Sequence, residues 1–173
     1  MKRSLLVLKF VFAAMLAAEA GCEVPGQQKQ VPAGNDPNLI AACTGYMASR
    51  VEVLPLTRFT QASSGGQGMR LEVYVGLFDA FNSQVKSPGV FRFELYERVS
   101  RSSQSKGKRL TIWPDIKLVN PADNNAYWLD YMRVYRFYLN FEPQKNQSCE
   151  LQVTWFCPDQ RRLMNDFELS YGE

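Results

Sequence analysis

MRLEVYVGL, at residues 69–77, alternates apolar and polar side chains over its whole length. Leu71 and Val73 fall on one face of an extended chain, and Arg70 and Glu72 fall on the other. Because successive side chains of a strand point to opposite faces of a sheet, this period of two predicts a half-buried β-strand. Such strands are typical of antiparallel sheets that bury one face and expose the other.

The same alternation recurs along most of the chain after residue 50. It is clearest in VFRFELYE (90–97), VYRFYLNF (134–141) and CELQVTWFC (149–157), and weaker near residues 51–54, 109–118 and 163–171. Loops rich in Gly, Pro, Asn and Ser separate these segments. About seven strands at this spacing predict an all-β fold, an antiparallel β-sandwich, in which Leu110 and Ile112 share one face of their strand.

One hairpin carries a family resemblance. The chain from Val73 to Tyr96, a strand followed by FDAFNSQVKSPG and FRFELYE, resembles the opening hairpin of immunoglobulin-like and transthyretin-like sandwiches. The resemblance extends over about 100 residues of strand pattern and implies two packed sheets. Cys43, Trp113 and Cys149 do not reproduce the Cys…Trp…Cys arrangement of immunoglobulin domains.

The first residues have the pattern of an export signal. Lys2 and Arg3 precede an apolar run from Leu5 to Ala18, interrupted only by Lys9. This run of about 14 residues is shorter than the roughly 20 that cross a bilayer as a helix, so we predict a signal peptide at residues 1–21.

The end of this signal resembles a bacterial lipobox. Ala20-Gly21-Cys22 matches the small residues and cysteine of that motif, with Glu19 where an apolar residue is usual. The resemblance implies a lipid such as palmitate on Cys22, a membrane anchor and a place in the cell envelope, as in the small uncharacterised lipoproteins that bacteria export. The alternative is ordinary cleavage after Ala18-Glu19-Ala20, which leaves a secreted or soluble periplasmic protein with an unmodified Cys22.

The exported part divides into two regions. Residues 22–36 hold the lipidated cysteine and a stretch rich in Gln, Pro and Gly that predicts a flexible tether. Residues 37–173 are predicted to form the sandwich domain. Asp36 as an N-cap and Pro37 as the first helical residue predict a short leading helix at 37–49.

Composition excludes several kinds of active site. The 173 residues include no histidine, which removes Ser-His-Asp and Cys-His nucleophilic sites, the HExxH metalloprotease pattern and histidine-ligated zinc. Without residues 1–21 the formal net charge falls from +3 to +1, so no basic surface indicates nucleic acid. We predict no catalytic residues, no metal and no cofactor.

The cysteines limit the disulfides that can form. Cys149 and Cys157 lie at the two ends of one predicted strand, roughly 26 Å apart at about 3.3 Å per residue. Paired cysteines need Cα atoms within about 7 Å of each other, so these two should not pair. If Cys22 carries lipid, Cys43 can pair with either Cys149 or Cys157, and one thiol stays unpaired. If Cys22 is not lipidated, two disulfides become possible.

Two clusters are candidate ligand contacts. One is a run of cations without an intervening acid: Arg98, Arg101, Lys106, Lys108 and Arg109. This run could hold an anionic polymer or phosphate, although a solvated hairpin loop is the more common structure for such a segment. The other centres on Trp113 and Trp128, with Tyr127 and Tyr131, and could stack on a sugar, although core packing is the more common use of strand aromatics.

The segment between Asp115 and Asp130 is rich in oxygen ligands, which calcium prefers. It lacks the D-x-D-x-D-G spacing of calcium loops, and Asn and Asp are common turn formers. The whole pattern therefore predicts a membrane-anchored, non-enzymatic binding or structural module, whose partner is an envelope protein or a cell-wall polymer. The alternatives are a carbohydrate-binding module and a hydrolase that depends on carboxylates or a metal.

Overall fold

The computed structural model describes residues 43–62, 68–99 and 105–172. Within these ranges the chain forms ten strands and one helix. In chain order they are β1 (Arg50–Val53), β2 (Arg58–Gln61), β3 (Met69–Phe78), β4 (Gly89–Arg98), β5 (Lys106–Ile112), β6 (Ile116–Leu118), α1 (Pro121–Tyr127), β7 (Trp128–Leu129), β8 (Val134–Asn140), β9 (Gln147–Phe156) and β10 (Arg162–Tyr171). The predicted all-β antiparallel sandwich is confirmed, because two antiparallel sheets pack face to face.

The two sheets have the same arrangement of strands. In sheet A, β3 pairs with β8 on one side and with both β1 and β2 on the other, and β7 extends the sheet beyond β8. In sheet B, β4 pairs with β9 on one side and with both β5 and β6 on the other, and β10 lies beyond β9. Each sheet therefore has one edge made of two short strands in succession.

A proline interrupts each of these divided edges. Pro55 lies between β1 and β2, and Pro114 lies between β5 and β6. Proline has no backbone N–H to give to a sheet, so it is confined to edges and breaks. Pro55 divides the edge of sheet A in this way, and Pro114 divides the predicted strand at 109–118.

An aromatic cluster fills the space between the sheets. Phe91 and Phe93 of β4 face Phe137 of β8, with ring centroids 5.0 and 4.8 Å from that of Phe137. Tyr135 and Trp155 complete the cluster, and all five side chains are buried. The apolar faces predicted for β3, β4, β8 and β9 are the ones that point inward.

The two sides of the sandwich differ. On one side β1 packs against β10, and the backbone N–H of Val53 donates to Asn165 Oδ1 at 2.8 Å. On the other side, among the described residues, no strand pairing joins β8 to β6, and α1 contacts both of them. This second side, which we call the open side, holds the candidate site.

Three local features differ from the expectations. Residues 37–42 of the predicted leading helix lie outside the described residues, and the helical part that is described ends at Thr44, followed by a turn and then β1. A bulge between β4 and β5 sets Ile112 opposite the outward Glu94, so Ile112 is exposed while Leu110 packs on the core. The helix α1 occupies a segment expected to be a loop.

Glycine is required at position 89 because the backbone there passes very close to an aromatic ring. A methyl group at this position would overlap the buried indole of Trp155. Only glycine allows the start of β4 to lie so near this side chain. Separately, no helix within the described ranges has the length and apolar character needed to cross a membrane.

Candidate binding groove

A groove of about 520 Å³ lies on the open side between β6 and β8. One wall is the chain from Trp113 to Leu118, the other is Tyr138 to Asn140, and α1 closes one end with Asp123, Ala126 and Tyr127. Small-molecule sites commonly have volumes of about 300–1,000 Å³. The groove is therefore large enough for a short peptide segment or one to two sugar rings.

The position of α1 is set by its own sequence. Asn120 is the N-cap, and its side chain accepts a hydrogen bond from Ala122 N–H at 2.9 Å. Pro121 begins the helix, where its missing N–H costs nothing. The helix therefore begins at Pro121. With this start, the side chain of Tyr127 packs inward, and its ring centroid lies 5.2 Å from that of Phe137.

A buried asparagine holds the helix to the sandwich. Asn124 Nδ2 donates to the carbonyl oxygens of Leu118, at 2.9 Å, and Ser87, at 3.1 Å. The hydroxyl of Tyr135 lies 3.1 Å from Asn124 Oδ1 and accepts from the N–H of Ser87 at 3.0 Å. Burial is the main reason that the pKa of Tyr135 is raised, so this hydroxyl stays protonated. The end of the groove is therefore rigidly supported.

Trp113 closes the groove opposite the helix. Its indole Nε1 donates to the carbonyl oxygen of Asn140 at 2.9 Å, which joins the edge of sheet B to the edge of sheet A. Its ring packs edge-on against Phe141 at 6.4 Å. Because Trp113 is only half-buried and lines the groove, part of its apolar surface is available to a ligand.

One carboxylate in the groove is held in its ionised form. The guanidinium of Arg92 makes two hydrogen bonds of 2.8 Å to the oxygens of Asp115. This bonding lowers the pKa of Asp115 below its usual value. Asp115 can therefore accept hydrogen bonds from hydroxyl or amide groups of a ligand. The second carboxylate in the lining, Asp123, is exposed on α1.

Three lining residues were missed by the sequence analysis. Tyr138, Asn140 and Lys117 are all exposed and all line the groove. One feature of the sequence does indicate Tyr138. It is an aromatic residue on the polar face of VYRFYLNF, where it alternates with the buried Phe137 and Leu139. The guanidinium of Arg70 lies 4.0 Å from the centroid of the Tyr138 ring and covers part of its face.

The two candidate tryptophans do not form one platform. Trp113 lines the groove, whereas Trp128 packs edge-on against Tyr135 at 5.0 Å and has the ammonium of Lys86 5.5 Å from its ring centroid. Trp128 is not among the lining residues of the groove. Tyr131 is in the turn after β7 and is 79% exposed.

The cationic run is part of a β-hairpin whose charges are largely paired. Lys106 Nζ lies 2.6 Å from Asp166 Oδ1, and Arg109 Nη1 lies 3.0 Å from Glu94 Oε1. The remaining members are Arg98, which pairs with Glu168, the exposed Lys108, and Arg101, which lies outside the described residues. These pairs cross the outer face of sheet B and compensate three of the four cations that the structure describes in this run. Exposed pairs of this kind contribute only about 0–1 kcal/mol each to stability.

The oxygen-rich segment uses its side chains for structure. Asn120 and Asn124 make the bonds described above, and Asn125 accepts from Lys86 Nζ at 2.5 Å. Across the described ranges, no three Asp, Glu, His or Cys side chains are grouped closely enough to hold a metal ion.

The three described cysteines are free thiols, so neither predicted pairing of Cys43 is formed in the structure. Cys43 is exposed, whereas Cys149 and Cys157 are buried. Burial is the main cause that raises the pKa of each buried thiol to about 11. Cys22 lies outside the described residues.

These positions predict selective alkylation. At about pH 8, iodoacetamide should modify Cys43 of the folded protein but leave Cys149 and Cys157 unmodified, because thiolate is the reactive form. Peptide mass spectrometry with and without denaturant measures this. Modification of Cys149 as fast as Cys43 in the folded protein would contradict the prediction. Protection of Cys43 that is lost on reduction would instead indicate a disulfide.

Comparison with known protein families, with characterised proteins and with solved structures finds no match to this chain.

Proposed function

We propose that this protein is an exported, non-enzymatic binding module, anchored to a membrane of the cell envelope by a lipid on Cys22, and that the groove on the open side holds its ligand. The observation that carries the proposal is the groove itself. Trp113 and Tyr127 supply apolar surface, and Asp115 and Asn140 supply polar groups beside it. Ligand sites typically combine apolar walls with a few fixed polar groups.

The anchor is supported by the sequence pattern at residues 1–22. Metabolic labelling with a palmitate analogue tests it in cells that make the wild-type chain or Cys22→Ser. We expect label on the wild type and none on the variant. Equal label on both chains would show that Cys22 is not the site of acylation, and would favour the alternative of a secreted or soluble periplasmic protein.

The ionisation of Asp115 suits a binding role and disfavours one hydrolytic role for this group, that of general acid. A glycosidase needs one carboxyl group that is protonated at neutral pH, which requires a raised pKa. Arg92 lowers the pKa of Asp115 instead, so this group is unsuited to act as a general acid. Its role in the proposal is to orient a ligand through hydrogen bonds.

The proposed partner classes follow from the charge of the domain and the shape of the groove. Pairing within the cationic hairpin and the near-zero net charge of residues 22–173 argue against nucleic acid. The ligand is proposed to be an envelope protein or a cell-wall polymer. Carbohydrate binding is the second candidate function. It is favoured by the half-buried indole of Trp113, which lies beside hydrogen-bonding groups.

The carbohydrate candidate makes a quantitative prediction. On an array of soluble cell-wall glycan fragments, Trp113→Ala should bind about tenfold more weakly than the wild type, since the lost ring contact and buried apolar area together amount to about 1.4 kcal/mol. Trp128→Ala is the matched control, because Trp128 packs away from the groove. Absence of glycan binding by the wild type would remove this candidate, and equal losses in both variants would place the site elsewhere.

A further inference from the structure

Three aromatic side chains are displayed at one end of the sandwich. Tyr46, Phe81 and Tyr131 have exposed fractions of 68, 66 and 79%. The rings of Tyr46 and Phe81 lie 5.4 Å apart on two neighbouring turns. The N–H of Ala80 donates to the carbonyl oxygen of Gly45 at 3.2 Å and holds those turns together.

Tyr131 belongs to the same end. Val75 of β3 lies opposite Tyr135 of β8, so the turn that precedes β8 comes beside the loop that follows β3. Arg133 Nη2 donates to the carbonyl oxygen of Gln84 in that loop at 3.0 Å. The three aromatics therefore lie at the same end of sheet A, which we call the aromatic end.

Charges of both signs surround the aromatic end. The described charged side chains at this end of sheet A are the cations Arg50, Lys86 and Arg133 and the acids Glu52, Asp79 and Asp130. The turn between β9 and β10, with the first residue of β10, adds Asp159, Arg161 and Arg162 at the same end of sheet B. Arg50 pairs with Glu52, and the buried Asp79 accepts hydrogen bonds from the N–H groups of Phe81 and Ser83. A partner of the aromatic end must therefore be recognised through apolar contact rather than net charge.

The chain enters the sandwich at this end. The described residues begin at Cys43, in the turn that carries Tyr46. Residues 23–42 connect that turn to Cys22, the proposed site of the lipid. A flexible tether of this length, as its composition predicts, has a root-mean-square span of about 25 Å. The anchor would thus hold the aromatic end nearer to the bilayer than the opposite end.

We infer that Tyr46, Phe81 and Tyr131 form a membrane-contact surface, which inserts its rings among lipid headgroups and fixes the orientation of the anchored domain. The inference rests on the proposed anchoring. Tyrosine side chains favour the membrane–water interface because their rings are amphipathic, and each of the three rings gains free energy from the apolar area it removes from water. Because the contact is apolar and the charges around it are of both signs, it should form on zwitterionic lipid and change little with salt.

Hydroxyl-radical footprinting tests the orientation directly. The full chain isolated from membranes is reconstituted into phosphatidylcholine vesicles, and oxidation of each side chain is measured by mass spectrometry. We expect Tyr131 to be oxidised several-fold more slowly than Tyr138, although Tyr138 is the less exposed of the two at 43%. Tyr46 and Phe81 should be protected likewise, at low and high salt. Oxidation of all three in proportion to their exposure would overturn the inference.

A charged variant supplies the second measurement. Tyr131→Asp should raise the oxidation of Tyr46 toward that of Tyr138, since a carboxylate resists insertion into lipid. Val99→Asp is the matched control, because Val99 is exposed just after β4, whose first residues are the ones nearest the aromatic end, and it should leave Tyr46 protected. Equal effects of the two variants would overturn the inference. Flotation of the vesicles in a density gradient shows whether the chain is bound to them. If the chain does not float with the vesicles, both the anchoring proposal and the inference are overturned. If it floats but the three aromatics are not protected, the inference alone is overturned.

Discussion

Truncation of Phe137 to alanine is expected to lower the free energy of unfolding by about 3–5 kcal/mol. Phe137 is fully buried between the sheets, where its ring contacts those of Phe91, Phe93 and Tyr127. Removal of the ring leaves a cavity that rigid neighbours on both sheets cannot fill. A domain of this size has a total stability of about 5–15 kcal/mol, so the loss is a large part of it. Urea denaturation followed by far-ultraviolet circular dichroism measures the change.

Phe81→Ala is the matched control for this variant. It removes the same atoms from a side chain that is 66% exposed, so its effect should stay within about 0.5 kcal/mol. Comparable losses in the two variants would mean that the aromatic cluster does not form the core. The ring of Tyr127, which lines the groove, packs against Phe137. The Phe137 variant should therefore also lower the affinity of the groove for its ligand.

Asn124→Ala should cost about 2–3 kcal/mol of stability. The variant removes both donors to the carbonyl oxygens of Leu118 and Ser87 and leaves the hydroxyl of Tyr135 without its amide neighbour. Buried polar groups that lose their partners pay the full cost of desolvation. The same denaturation measurement applies, with amide hydrogen exchange of α1 as a local readout.

The adjacent asparagine provides the control. Asn125 has the same side chain but is exposed and contacts only Lys86 among the bonds described above. Asn125→Ala should change stability by less than about 0.5 kcal/mol. If Asn124→Ala were equally mild, the helix would not depend on this buried network, and the groove would lack the rigid end that the proposed function requires.

Much of the fold follows from alternation alone. Long strands with a strict period of two, such as β3 and β9, were predicted with the correct face inward, because one buried face specifies the register of the whole strand. The divided edges were less evident. Proline breaks at positions 55 and 114 each turn one apolar segment into two short strands, and the bulge between β4 and β5 reverses the side on which Ile112 lies.

The helix shows why a local signal was overlooked. Asn120-Pro121 has the same N-cap and first-residue pattern that predicted a helix after Asp36, yet the run of Asn and Asp that follows is also typical of a loop. The helix is favoured over the loop by the hydrogen bonds from the Asn124 side chain to the carbonyl oxygens of Ser87 and Leu118. These are contacts with other segments of the chain, so no local sequence pattern reveals them. The groove was only partly predictable for the same reason, since Trp113 and Tyr138 are brought together by the packing of two sheets.

The unpaired margins of the open side also bear on solubility. A free strand edge can recruit a second copy of the same protein and begin aggregation, so soluble proteins shorten or obstruct such edges. Here β6 is only three residues long and lies between Pro114 and Pro121, and Lys117 occupies its centre. The indole of Trp113 caps the carbonyl oxygen of Asn140 on the facing margin. The side that remains accessible to a ligand is thereby a poor template for fibre growth.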